Sequence, residues 1–143
     1  MKKILISLHP DSLAKILSGE MPVDLKINIP KAYFPCEVYL YCTKTHDFGY
    51  LTKEFAYNSS NKAIVRQFKY HRVLLELHHT KNAYQVLNGS IVGKCTLRKC
   101  KKTDYDSYTW NIDNLKIFVQ PKKLQDFGYE RPPQSWGYIG DSR

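Results

Sequence analysis

The sequence predicts a single α+β domain, a small barrel of about six mostly antiparallel strands with two or three short helices over its openings. Three observations predict this class. Several segments alternate apolar and polar residues with the period of a strand that buries one face. Asn88-Gly89 suits the tight turn of a β-hairpin, in which two consecutive residues take positive φ. Two segments, residues 10–19 and 121–128, begin at a proline and close at a glycine, as short helices do.

A strand and a short helix open the chain. Residues 4–8 form an apolar run of strand length, and Pro10 follows where a helix tolerates a residue without an amide proton. Gly19 supplies the left-handed residue that commonly closes a helix. Between them, residues three and four apart form one apolar stripe: Leu13, Ile16 and Leu17. The pattern therefore predicts a helix that ends at Gly19.

Residues 23–28 have the alternation of a half-buried strand, with apolar residues at 23, 25 and 27. Because alternate side chains of a strand lie on the same face, Asp24 and Lys26 lie side by side on the polar face. One acid and one base then share a surface.

The later strands are predicted by the same alternation. Residues 36–43 give a strand with an apolar face and a face that carries Tyr39 and Tyr41. The hairpin joins a strand that ends near Leu87 to one that begins near Ser90. In the second strand, positions 91, 93, 95 and 97 point inward, and Lys94, Thr96 and Arg98 form an outward basic row. Residues 105–111, 114–119 and 134–139 are further strands, while residues 61–70 fit a short helix and 72–79 a strand.

The net charge of +9 is concentrated in one third of the chain. Residues 61–102 hold ten basic residues and one acid, and the remaining residues hold twelve of each sign. Such a field is the electrostatic footprint expected for a polyanion, with a solvated, solubility-promoting face as the alternative. The predicted contacts to a nucleic-acid backbone are Lys62, Arg66, Lys69, Arg72, Lys94, Arg98, Lys99, Lys101 and Lys102.

Neither a metal nor a cofactor is predicted. The intervals between the four cysteines differ from the closely spaced pairs of a structural zinc site, and Cys36, Cys42 and Cys95 fall in phase with apolar positions. They are interpreted as reduced core residues, and Cys100 as the most exposed thiol. His78 and His79 would point to opposite faces of a strand, so one ion would rarely take both.

Two segments carry a family resemblance: ISLHPDSLAKILSGEMPVDLK at residues 6–26, and RPPQSWGYI at residues 131–139 with IDNLKIFVQPKKLQDFG before it. Their order of strand, helix, glycine and charged strand resembles the ASCH domain, a branch of the PUA-like β-barrels associated with RNA and modified nucleosides, in a form similar to small phage and prophage proteins. The family pattern G-x-K-x-x-E-x-R aligns with Gly19, Met21, Asp24 and Lys26, and only the glycine is identical.

The resemblance implies a cleft walled by the end of the helix and the following strand, which would hold Glu20, Met21, Asp24 and Lys26. Some relatives are amidohydrolases that remove an acyl group from the exocyclic nitrogen of cytidine and use the motif lysine. Here that position is Met21, whose thioether can neither take a proton nor hold a charge. If the protein were such an enzyme, Asp24 and Lys26 would be its catalytic candidates.

Binding requires less than catalysis: an aromatic platform for a base, hydrogen-bonding groups for its edge, and positive charge for phosphates. Tyr39, Tyr41, Trp136 and Tyr138 are the candidate platforms, Asp24, Gln134 and Ser135 the candidate edge readers, and Lys26 and Arg131 additional phosphate contacts. Glu20 is a further ligand-binding candidate that the resemblance places in the cleft. Trp136 as a core residue, and the β-strand tyrosines as exterior or subunit contacts, are the alternatives.

The sequence therefore predicts a binder of RNA or a modified nucleotide, in a cleft between the end of the first helix and the C-terminal strand. The other hypotheses are the amidohydrolase and a phage accessory protein that sequesters a host factor or a signalling nucleotide. The apolar stretch after Lys3 is too short for a signal peptide or a membrane span, so the expected location is the cytosol of a bacterium or of a phage-infected host.

Overall fold

The structure is a computed structural model that describes residues 1–9, 12–13, 16, 23–44 and 89–140, with only the backbone described at 117 and 119. In these ranges the chain forms six strands: β1 (Lys2–Leu8), β2 (Val23–Leu25), β3 (Cys36–Cys42), β4 (Ile91–Lys102), β5 (Tyr108–Lys122) and β6 (Trp136–Ile139). Two short 3-10 helices accompany them, Lys31–Tyr33 and Leu124–Phe127.

The six strands form one mixed sheet in the order β2-β5-β4-β3-β1-β6. The β1–β3 pairing is parallel and the other pairings are antiparallel, so the predicted mostly antiparallel sheet of about six strands is confirmed. The predicted closure into a barrel is wrong for the part of the chain that the structure describes, because β2 and β6 are edge strands that do not pair with each other.

The predicted helices over the openings are not supported. Ser12, Leu13 and Ile16 have helical backbone, and the Leu13 amide donates to the His9 carbonyl at 3.0 Å, but the rest of residues 10–19 and the whole of 61–88 lie outside the described residues. The predicted helix over 121–128 is a single 3-10 turn, because β5 continues through Lys122 and leaves few residues before the left-handed Gly128. No helix among the described residues is long and apolar enough to cross a membrane.

Strand β5 replaces two predicted strands, 105–111 and 114–119. Asn114 lies between them with φ of 54°, a left-handed conformation that asparagine tolerates, and the β4–β5 register shifts along the same stretch. The polar residues that predict a break between two strands thus form an irregularity within one long strand.

Apolar side chains form two clusters, one on each face of the sheet. The first includes Ile4 and Val38, and the second includes Leu5, Tyr39 and Tyr41. The alternation of β3 is therefore as predicted, but its tyrosines are buried, 8% and 2% exposed, because Phe118 and Leu124 pack over them. The prediction that Tyr39 and Tyr41 form an exposed platform for a base is wrong for this reason.

Strand β4 differs from its predicted alternation near its start. Val92, Cys95 and Leu97 belong to the first cluster and Ile91 to the second, because the register with β5 shifts between Ile91 and Gly93. Thr96, which was expected to point outward in a basic row, is 8% exposed. The predicted core cysteines at 36, 42 and 95 are buried free thiols, and Cys100 is partly buried.

Candidate functional site

A polar recess of about 510 Å³ lies where the end of β1 meets the edge of β2 that β5 does not cover. We call it the β1–β2 recess. Both strands contribute polar side chains above an apolar floor. Its lining residues are Ser7, Leu8, His9, Ser12, Asp24, Leu25, Lys26, Ile27 and Ser107.

The β2 wall of the recess is held in place by two hydrogen bonds from β5. The Trp110 indole Nε1 donates to the Ile27 carbonyl at 2.8 Å, and this ring is completely buried. The Thr109 hydroxyl donates to Asp24 Oδ1 at 2.8 Å. Asp24 and Lys26 are exposed and their apolar neighbours are buried, which confirms the predicted alternation.

The β1 wall is tied to the segment that precedes β6 and to the end of β3. The Ser7 hydroxyl donates to the Pro133 carbonyl at 2.6 Å, and the Ser7 amide to the Ser135 carbonyl at 3.0 Å. His9 Nδ1 lies 3.4 Å from the Thr43 hydroxyl. The recess is thus shaped by backbone and side-chain contacts between residues that are far apart in the sequence.

Lysines of β4 lie next to this recess. Lys101 pairs with Thr109, which in turn pairs with Asp24, so the three side chains share one face of the sheet. Two strand spacings separate the backbones of Lys101 and Asp24, a distance of about 10 Å. We call Lys99 and Lys101 the β4 lysine row, because alternate residues of a strand share a face, whereas Lys102 points to the other face. Both lysines of the row are exposed, and no carboxylate among the described residues forms an ion pair with them.

Two other predicted phosphate contacts have their charges compensated within the protein. Lys94 Nζ lies 2.8 Å from Glu37 Oε1, and Arg98 Nε lies 3.1 Å from Asp113 Oδ2. The hydrogen bond from Lys94 is the main cause that lowers the pKa of Glu37. The remaining predicted contacts, Lys62, Arg66, Lys69 and Arg72, lie outside the described residues.

The C-terminal aromatic residues do not line the recess. Trp136 is half-buried against Tyr33, with ring centroids 5.4 Å apart in an edge-to-face arrangement, and Tyr138 is 47% exposed beside the same ring. Lys2 Nζ lies 4.5 Å from the Tyr33 centroid. β2 and β6 are the two edge strands of the sheet, and the residues that line the β1–β2 recess do not include Trp136 or Tyr138.

The other predicted site residues are divided among several places. Gln134 and Ser135 are exposed, and Ser135 meets the recess only through its carbonyl bond to Ser7. Tyr41 and Arg131 line a second cavity, of about 500 Å³. Glu20 and Met21 lie outside the described residues.

Several recess residues were not singled out from the sequence. His9 and Ser12 flank Pro10, which marks the predicted start of the helix. Ser107 immediately precedes β5 and Thr109 lies in it. Only the long-range pairing of β5 with β2 brings them to Asp24. Local alternation contains no signal for that pairing.

Comparison of the chain with protein-family models gives no match, and no curated protein sequence matches it significantly. The resemblance to the ASCH domain therefore stays a prediction that rests on residues 6–26 and 112–139.

Proposed function

We propose that the protein binds single-stranded RNA or a modified nucleotide, with the nucleoside in the β1–β2 recess and the phosphates on the β4 lysine row. One observation carries the proposal: the register from Lys101 through Thr109 to Asp24 puts the exposed Lys101 on the same face as Asp24, with their backbones about 10 Å apart. A ligand that is both anionic and rich in hydrogen-bonding edges fits this combination.

The recess has the size and chemistry for a nucleoside. Its volume of about 510 Å³ lies within the range of small-molecule sites. Asp24 can accept from Thr109 and from a base amino group at once, because a carboxylate has two oxygens and about four lone pairs. Lys26 and His9 supply donors on either side, and Leu25 and Ile27 give an apolar floor.

The lysine row predicts a measurable salt dependence. Each phosphate neutralised on a single strand contributes about −0.7 to the slope of log K against log salt concentration. The two lysines of the row therefore predict a slope of roughly −1.4 for this part of the interface. Fluorescence anisotropy with a short labelled single-stranded RNA measures both affinity and slope.

Paired lysine variants separate this proposal from nonspecific attraction. Lys101→Gln should weaken binding and reduce the steepness of the slope by about 0.7. Lys116→Gln is the matched control, because Lys116 is an exposed β5 lysine that pairs with Lys94, away from the recess. Binding that is independent of salt, or equal losses in the two variants, would contradict the proposal.

A second arm of the experiment addresses catalysis in the same recess. Asp24 and Lys26 both line it, and they are the two residues that an amidohydrolase would need here. Incubation with N4-acetylcytidine at high protein concentration should leave the nucleoside intact if the protein only binds. Release of cytidine and acetate that disappears in Asp24→Asn would replace binding with hydrolysis as the function.

A further inference from the structure

The second cavity gathers positive charge from three separate segments of the chain. It lies between the end of β3 and the 3-10 helix Leu124–Phe127, and its volume is about 500 Å³. Lys44, Lys123 and Arg131 line it together with one acid, Glu130. We call it the arginine cavity. Among the described residues, no carboxylate lies within ion-pair distance of any of the three cations.

A buried phenol lines the same cavity. Tyr41 is 2% exposed and lies in the cavity wall. Burial raises the pKa of Tyr41, so the phenol keeps its proton and can donate to a bound ligand.

The turn at Gly89 lets Lys44 approach the cavity. Gly89 has φ of 71°, and its amide donates to the Cys42 carbonyl at 2.9 Å. A Cβ atom at this position would lie 2.9 Å from Lys44 Cγ and 2.8 Å from its Cε, so the lysine stem crosses directly over the glycine. The absence of a side chain at Gly89 therefore leaves room for the lysine along the cavity wall.

We infer that the arginine cavity binds a small molecule that carries more than one phosphate group, such as a nucleoside diphosphate, at a site separate from the β1–β2 recess. Three cations beside a single acid favour a multiply charged anion over a carboxylate or a neutral ligand. Arginine matches phosphate oxygens with two parallel donors, and lysine adds point charge. The Tyr41 phenol would supply a neutral donor at the buried end.

Isothermal titration of the full chain with ADP, and separately with inorganic pyrophosphate, tests the inference. Arg131→Gln and Lys123→Gln should each weaken binding roughly tenfold, since each removes a charge-assisted contact. Tyr41→Phe keeps the buried ring and should weaken binding about threefold, with little change in the thermal midpoint. Lys116→Gln and Asp24→Asn lie outside the cavity and should bind as the unaltered protein does.

Three results would overturn the inference. The first is no heat of binding with either probe at millimolar concentration. The second is binding that Arg131→Gln and Lys123→Gln leave unchanged. The third is binding that Lys101→Gln abolishes, which would place the phosphates on the β4 lysine row. Because Lys101→Gln reports on RNA binding, failure here is distinguishable from failure of the proposed function.

Discussion

Trp110 holds the β2 wall of the recess, and its replacement by phenylalanine should be costly. The indole is completely buried and donates to the Ile27 carbonyl at 2.8 Å. Loss of the donor leaves the buried Ile27 carbonyl with only the weak thiol donor of Cys100 at 3.7 Å, which costs about 1 to 3 kcal/mol. Loss of the larger ring leaves a cavity that costs about 1 to 2 kcal/mol more. Trp110→Phe should therefore lower the free energy of unfolding by about 3 kcal/mol.

The second tryptophan provides a matched control. Trp136 is half-buried, and its contact with Tyr33 is an edge-to-face ring pair worth about 1 kcal/mol. Urea unfolding followed by far-ultraviolet circular dichroism compares the two variants without relying on tryptophan fluorescence. Equal destabilisation by Trp110→Phe and Trp136→Phe would refute the argument that the hydrogen bond to Ile27 anchors β2.

Three further predictions concern an ion pair, a thiol and a glycine. Because Lys94 holds the pKa of Glu37 below its ordinary 4.5, the pair stabilises the fold at neutral pH and this stability is lost as the pH falls through the folded pKa. Lys94→Met should thus cost up to about 1 kcal/mol at neutral pH, and urea titrations should show the difference shrinking below pH 4.5; a constant difference would contradict this. Burial raises the pKa of the three core cysteines to about 11 or 12. Ellman's reagent should therefore react first with the partly buried Cys100, and Cys100→Ser should abolish the fast phase of the thiol reaction. A methyl group at Gly137 would clash with the Tyr129 hydroxyl, which donates to the Tyr138 carbonyl at 2.7 Å. Gly137→Ala should therefore lower the free energy of unfolding by about 2 kcal/mol, more than Tyr129→Phe does.

The strands that the sequence predicts well are those whose burial has a simple period. The apolar run predicts β1 and alternation predicts β2 and β3; in β2 the alternation also reports which side chains are buried, and it places Asp24 and Lys26 together on the recess wall. It fails at the start of β4, where a register shift moves Ile91 to the other face of the sheet. A local irregularity of this kind depends on the partner strand and has no signature in β4 alone.

The candidate site could be predicted only in part, because its members meet through long-range pairing. The row from Lys101 to Asp24 requires β5 to lie between β4 and β2. The sequence predicts Tyr41 as a platform because Tyr41 alternates with apolar Leu40 and Cys42 and so shares a strand face with Glu37 and Thr43. Phe118 of β5 and Leu124 of the following 3-10 helix, both far from β3 in the sequence, cover that face instead. The resemblance predicts one cleft from both ends of the chain, and the recess contains residues of β1 and β2 but none of β6.

The central proposal is that the β1–β2 recess and the β4 lysine row form one binding surface for RNA. Backbone amide chemical shifts of the labelled protein, recorded during titration with a short single-stranded RNA, test it directly. We predict that the largest changes fall on Asp24, Ser107 and Lys101, and that Glu37 and Lys116 stay unchanged. Changes centred on Tyr33 and Tyr138, with Asp24 and Lys101 unaffected, would contradict the account.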